Sequence, residues 1–142
     1  MSARDPVQAY KEIQITTANQ IRLIVMLYDG AIRRIGLALE CFGEGYRRYD
    51  EINTHLRAAQ DIVSELMSSL DFEKGGGLAK SLFAIYSYVN KQLLQGNILK
   101  DRKPLDEVKK LLSELRDAWD EISAKKGLEI KTGPVGGVNI AG

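Results

Sequence analysis

Apolar residues recur at intervals of three and four along most of the chain, the signature of helices with one buried face. A first helix is expected from about Ala18, because Thr17 and Gln20 have the spacing of a capping box. Ile21, Ile24, Tyr28, Ile32, Ile35, Leu39 and Phe42 then form one stripe, and Gly43 and Gly45 end the element. A second helix beginning between Tyr46 and Asp50 places Ile52, Leu56, Ala59, Ile62 or Val63, Leu66 and Leu70 on one face. Its opposite face carries Arg57, Asp61, Ser64 and Glu65. Gly75, Gly76 and Gly77 punctuate the chain before a third helix from Leu78 to Leu99, with Leu82, Ile85, Val89 and Leu93 in register. Pro104 suits the first turn of a fourth helix, where its missing N–H goes unmissed. Leu105, Val108, Leu112, Leu115, Trp119 and Ile122 follow, and Lys125, Lys126 and Gly127 read as its stop. No sustained period of two precedes residue 127.

Long helices joined by short connections must run antiparallel. The expected fold is all-α, an antiparallel up-down four-helix bundle in a single domain over residues 1–126. Residues 1–16 are read as an N-terminal cap segment and residues 127–142 as a flexible Gly-rich C-terminal tail. The apolar content of the helices is uneven. Residues 18–43 carry 16 of 26 and residues 78–99 carry 13 of 22, against 9 of 21 for 50–70 and 9 of 22 for 104–125. The first and third helices therefore need cover on more than one side. Either they form the packed diagonal of the bundle, or part of this surface is left for a partner.

Charge adds little to this picture: 20 basic against 19 acidic side chains are interleaved, giving +1. No basic stripe marks a nucleic-acid binder. The longest apolar stretch, Ile21 to Tyr28, is interrupted by Arg22 and falls far short of the ~20 residues that span a bilayer. The N-terminal residues contain no apolar core of a secretory signal, so a soluble, cytoplasmic protein without membrane insertion is expected. The lone Cys41 fits a reducing compartment.

Candidate chemistry is thin. His55 is the only histidine, too few for a di-iron bundle, so no metal and no cofactor are expected. A histidine phosphotransfer bundle needs one helical histidine, and His55 is so placed; the lysine and small residue such domains carry at +3 and +4 are here Ala58 and Ala59. His55 lies three after Ile52 and also reads as a partly buried flank of the apolar stripe. The phosphate-loop pattern fails at Lys74 and Ala79, which stand where glycines are required. No catalytic constellation remains, and the chain is not expected to be an enzyme. Gly30 inside the first helix costs about 1 kcal/mol relative to alanine, which asks for close approach of a neighbouring element or contact with a bound peptide. Trp119 reads as a core anchor, and Tyr10 as an aromatic that docks the N-terminus.

The string Met26-Leu-Tyr-Asp-Gly-Ala-Ile32 resembles the first-helix motif of the FliS flagellar secretion chaperones. The likeness continues through Leu56-Arg-Ala-Ala-Gln-Asp-Ile-Val-Ser-Glu-Leu66, Ser69-Leu70, Ile85-Tyr-Ser-Tyr-Val89, Asn97-Ile98 and Leu115-Arg-Asp-Ala-Trp119. Tyr10 matches a tyrosine of the family's N-terminal segment. The resemblance covers residues 6–125 in order. Val7 stands where a second tyrosine is common, Ser87 replaces a usual aspartate, and Gly96 a usual alanine.

The resemblance implies a chaperone that binds the C-terminal segment of flagellin, prevents premature polymerisation in the cytosol and assists its delivery to a component of the flagellar export gate. No nucleic acid is implied, and a monomer or weak homodimer is expected. An amphipathic client can lie helix-in-groove on spare apolar surface. The expected contacts centre on the second and third helices: Ile52, Leu56, Ala59 and Val63 with Leu82, Ile85, Tyr86 and Val89. Gln60 is placed to hydrogen-bond an unwound client backbone. Residues 1–16, through Tyr10 and Ile13, are expected to cover part of the groove until the client arrives.

Overall fold

The four expected helices all form. The computed structural model describes the backbone of residues 6–132 and the side chains of residues 19–125. Helix α1 spans Pro6–Glu40, α2 Tyr49–Ser68, α3 Phe72–Leu99 and α4 Arg102–Thr132, with a 3-10 turn at Gly45–Arg48 before α2. No strand occurs among the described residues. The chain divides into two compact units, Met26–Arg116 and Met1–Val25 with Asp117–Gly142.

In the larger unit, cross-helix contacts fix an antiparallel order. Going up α1, Gly30 meets Ile62 of α2 and Arg34 then meets His55, so the α2 numbers fall. Asn53 pairs with Asn97 and Ser64 with Asn90, which sets α2 against α3 in the same sense. Asp29 pairs with Arg116, Gly36 lies beside Lys109, and the Leu39 carbonyl accepts from Arg102, so α4 also runs against α1. Gly96 abuts Leu105 across the α3–α4 turn. Helices α1 and α3 each meet the three others, and their buried Tyr28 and Tyr86 hydroxyls pair at 2.5 Å. This is the up-down four-helix bundle that the periodicity implies.

The core is filled from all four helices by rows at helical spacing. Tyr28, Ala31, Ile35, Ala38 and Leu39 come from α1, and Ile52, Leu56, Ala59, Val63 and Leu66 from α2. Ala79, Leu82, Tyr86, Val89 and Leu93 come from α3, and Leu105, Val108 and Leu112 from α4. Each large side chain so buried contributes about 1.5–3 kcal/mol. In α1 the expected stripe is buried at Tyr28, Ile35 and Leu39, but Ala31 is sealed where Ile32 was expected, and Ile32 is a half-buried flank.

The connections rest on local chemistry. Asp71 caps α3, its carboxylate accepting from the Glu73 and Lys74 N–H groups at 3.0 Å. Gly76 breaks that helix with φ of 50° and ψ of −126°, a conformation that favours glycine. The regular stretch of α3 thus starts close to the expected Leu78, preceded by an additional turn. At the other end, a Cβ on Gly96 would sit 2.6 Å from a Leu105 methyl, so only glycine lets α4 approach this closely. Asp101 accepts from the Lys103 N–H at the start of α4, and Pro104 follows in its first turn as expected.

The smaller unit holds the beginning of α1 and the end of α4. Val25 and Ser123 are buried there, Ile21, Ile24 and Trp119 are half-buried, and Leu23 and Ile122 are exposed. The row of α4 therefore passes to Ser123 and not to Ile122. A 3.6-residue turn drifts about 20° per heptad, about 40° over two heptads, in the sense that favours the later of two adjacent positions.

Both outer boundaries correct the sequence reading. The helix starts at Pro6, not near Ala18, and runs through Thr17 and Gln20, so these two do not form a capping box. Proline pre-sets the first helical turn, and Gln8, Ala9, Lys11 and Glu12 are good helix formers, which together outweigh the paired threonines. Helix α4 likewise runs through Gly127 to Thr132, because one glycine costs only about 1 kcal/mol and helix formers Leu128, Glu129 and Lys131 follow it. The rest of the expected tail, residues 133–142, lies outside the described residues.

Candidate functional site

One turn of helix buries one residue in three or four, so α3 needs a single apolar row to pack. It has more. Its buried row is Ala79, Leu82, Tyr86, Val89, Leu93, Gly96 and Asn97. On one flank of that row lie Phe83, Leu94 and Ile98, and on the other Leu78, Ile85, Tyr88 and Leu99. Ile85 is half-buried and the other six are exposed, Ile98 by 70% and Leu99 by 69%. Phe72 in the opening turn is exposed as well and packs edge-on against the Phe83 ring at 5.8 Å.

Beside the first flank runs a polar seam with α2. The Asn97 side chain donates to Asn53 Oδ1 at 2.8 Å, and Asn90 Nδ2 donates to Ser64 Oγ at 3.1 Å. Gln60 Nε2 reaches the Asn90 carbonyl at 3.4 Å. Asn90 Oδ1 is buried and has no hydrogen-bond partner. The seam is thus a line of amides and hydroxyls bordered by exposed aromatic and aliphatic groups. Its chemistry suits a segment that is apolar on one face and hydrogen-bonding beside it. Among the described residues no group of three or more His, Cys, Asp and Glu is placed to hold a metal ion. No described helix is long and apolar enough to cross a membrane.

The structure disposes of the expected site residues unevenly. Ile52, Leu56, Ala59, Val63, Leu82, Tyr86 and Val89 come together, but in the bundle core: each has at most 6% of its surface exposed and offers nothing to a partner in this conformation. Gln60 and Ile85 are half-buried at the surface, Gln60 in the seam and Ile85 on the far flank of α3. Tyr10 and Ile13 lie in the opening turns of α1, and their side chains are outside the described residues. Phe83, Leu94 and Ile98 were not singled out from the sequence. Their signal was the surplus itself, since 13 apolar residues in 22 cannot all face one way.

The remaining candidates have structural positions. Gly30 is approached by Ile62, to which a Cβ would stand at 3.3 Å, so a neighbouring helix explains it. His55 is a half-buried flank of the α2 row, with the Arg34 guanidinium 3.1 Å from its Nδ1. Burial pushes the Cys41 thiol up, aided by the Glu51 carboxylate and opposed by Arg48. Burial first, and then the Tyr28 hydroxyl, hold the Tyr86 phenol far above its ordinary range.

Comparison with known proteins converges on one family. The family model described as flagellar protein FliS matches residues 3–126. The flagellar secretion chaperone FliS of Salmonella typhimurium is 33% identical over 130 residues, covering 87% of this chain and 93% of the relative. The chaperone of the same name from Vibrio cholerae serotype O1 is 32% identical over 84% of this chain and 89% of its own length. The flagellar secretion chaperone FliSB of Pseudomonas aeruginosa is 35% identical over 79% and 87%. With a family match across most of its length and the helical bundle that carries the matching motifs, this chain belongs to the FliS family of flagellar secretion chaperones.

Proposed function

We propose that this chain binds the C-terminal segment of flagellin in the cytoplasm, keeps it from polymerising, and helps deliver it to the export gate. The observation that carries the reading is the unpartnered apolar flank of α3, with Phe83, Leu94 and Ile98 exposed beside the amide seam. A filament subunit must hide amphipathic segments until assembly, and such a segment lies on an apolar strip as a helix. Ordering a disordered segment costs about 2–5 kcal/mol, so the strip must bury substantial apolar area to leave useful affinity.

The client therefore lies along α3 on the α2 side, with Gln60 available to its backbone, and Ile85, on the opposite flank, falls outside this contact. Ile52, Leu56, Ala59, Val63, Leu82, Tyr86 and Val89 support this surface from beneath. A covering role for residues 1–16, with Tyr10 and Ile13, is part of the proposal: deleting residues 1–12 is expected to change client affinity, and an unchanged affinity removes that role. Calorimetric titration with the flagellin C-terminal segment, followed by a filament-assembly assay of the complex, tests the reading. Saturable binding with suppressed assembly is expected. No binding, or assembly at the free rate in the complex, overturns it.

A further inference from the structure

Apolar contact explains why a client sticks to α3 but not which client is chosen or at what register. An amphipathic helix can slide one turn along a row of apolar side chains with little loss. Charge supplies what the row lacks. From Lys74 to Lys100 the chain contains no Asp or Glu, although the whole protein holds 19 of them against 20 Lys and Arg. The other helices interleave both signs, as Glu51, Arg57, Asp61 and Glu65 do in α2. Within α3 the pattern Lys80-Ser-Leu82-Phe83 returns eleven residues later as Lys91-Gln-Leu93-Leu94. In both copies the third residue is buried in the core, while the lysine and the last residue are exposed. Residues three apart are neighbours on a helix surface. Lys80 therefore stands beside Phe83 and Lys91 beside Leu94, on the solvent side of the client strip. Eleven residues make three turns, about 16 Å along the axis. Among the described residues neither lysine has an ion-pair partner.

Stability does not ask for this arrangement. The helix dipole favours cations only near the last turn, and Lys80 lies in the first half of α3. A carboxylate one turn away would stabilise the helix by pairing, and none is provided. Solubility is served by either sign. We propose that Lys80 and Lys91 form a cationic rim that selects a flagellin segment carrying carboxylates beside its apolar face at the matching interval, and fixes its register. The proposal rests on the client-binding reading and deepens it. A segment seated on Phe83 and Leu94 brings such carboxylates to both ammonium groups at once. Slipping by one turn carries each of them about 5.4 Å away and unseats the apolar contacts as well. Exposed ion pairs are worth little singly; at the rim of an interface they act chiefly on encounter rate and on the choice of partner. An amphipathic segment with basic residues beside its apolar face meets like charge and is turned away.

The test separates local charge from overall charge. The flagellin C-terminal segment is titrated calorimetrically into the full-length chain and mixed with it by stopped flow. Both are done at about 0.02 M and about 0.5 M salt, between which the Debye length falls from about 20 Å to about 4 Å. Lys80→Gln with Lys91→Gln is expected to bind about fivefold more weakly at low salt and to lose most of the salt dependence. Lys80→Glu with Lys91→Glu is expected to weaken binding by more than tenfold, mainly through slower association. Both positions are exposed, so each variant is expected to melt within about 2 °C of the unaltered chain. Lys103→Glu with Lys110→Glu makes the same change of net charge at exposed positions of α4 and is expected to leave affinity within about threefold. An equal loss from the α4 pair, or undiminished binding by the α3 glutamate pair, overturns the rim while the client reading stands. No binding by the unaltered chain removes the client reading itself.

Discussion

Helices α2 and α3 are neighbours in one hairpin and solve the same packing problem differently. In α2, five residues are buried and no large apolar side chain is exposed. In α3, seven residues are buried and seven large apolar side chains are exposed as well: Phe72, Leu78, Phe83, Tyr88, Leu94, Ile98 and Leu99. The bundle thus shows within itself how much apolar surface a helix needs in order to fold, and α3 exceeds it. Surplus of this size on one element, while its partner carries none, is the observation on which the proposed client surface rests.

The sharpest way to break the comparison is to attack α2 where it is buried. Leu56→Ala is expected to lower stability by about 2–5 kcal/mol, read as a shift of the urea midpoint, with client affinity recovered once the protein is folded. A small loss would mean that Leu56 is surface after all. Next comes the opposite experiment on α3. Leu94→Glu with Ile98→Glu is expected to leave unfolding within about 0.5 kcal/mol per site while weakening the flagellin segment by more than tenfold, about 1.4 kcal/mol. Unfolding of this double variant would place both side chains in the core. The smallest effect concerns the first turn of α2, where a hydrogen bond from Arg48 holds the Glu51 carboxyl below its ordinary value. A depressed carboxyl stabilises the fold above its unfolded-state value and loses that effect as pH falls through the folded one. Glu51→Gln should flatten slightly the acid limb of a Tm-against-pH curve; an unchanged limb removes this assignment.

Much of the fold was legible because it follows from helical periodicity. Ile52, Leu56, Ala59, Val63 and Leu66 fall on the expected face of α2, and Leu105, Val108 and Leu112 on that of α4. Where two apolar rows compete, as at Ala31 and Ile32, spacing cannot choose between them, and packing against other helices decides. Helix ends were read less well, because Thr17 with Gln20 and the Lys125–Gly127 stop are local signals that neighbouring helix formers override. The site divides along the same line. Motifs picked out apolar residues of α2 and α3, and seven of them turned out to be the sealed row. A string such as Ile85-Tyr-Ser-Tyr-Val89 mixes inward Tyr86 and Val89 with outward Tyr88 in adjacent positions. Only the three-dimensional packing separates the two classes. The uneven apolar count pointed to α1 and α3 together, and within α3 it could not separate sealed Tyr86 from half-buried Ile85.

Methyl NMR measures that separation directly. With leucine, isoleucine and valine methyls labelled in the full-length chain, the flagellin C-terminal segment is added to saturation. The Leu94 and Ile98 methyls are expected to shift and to gain contacts to the client, while those of Leu56 and Val63 gain none. Client contacts at Leu56 and Val63 with none on Leu94 and Ile98 would contradict the account.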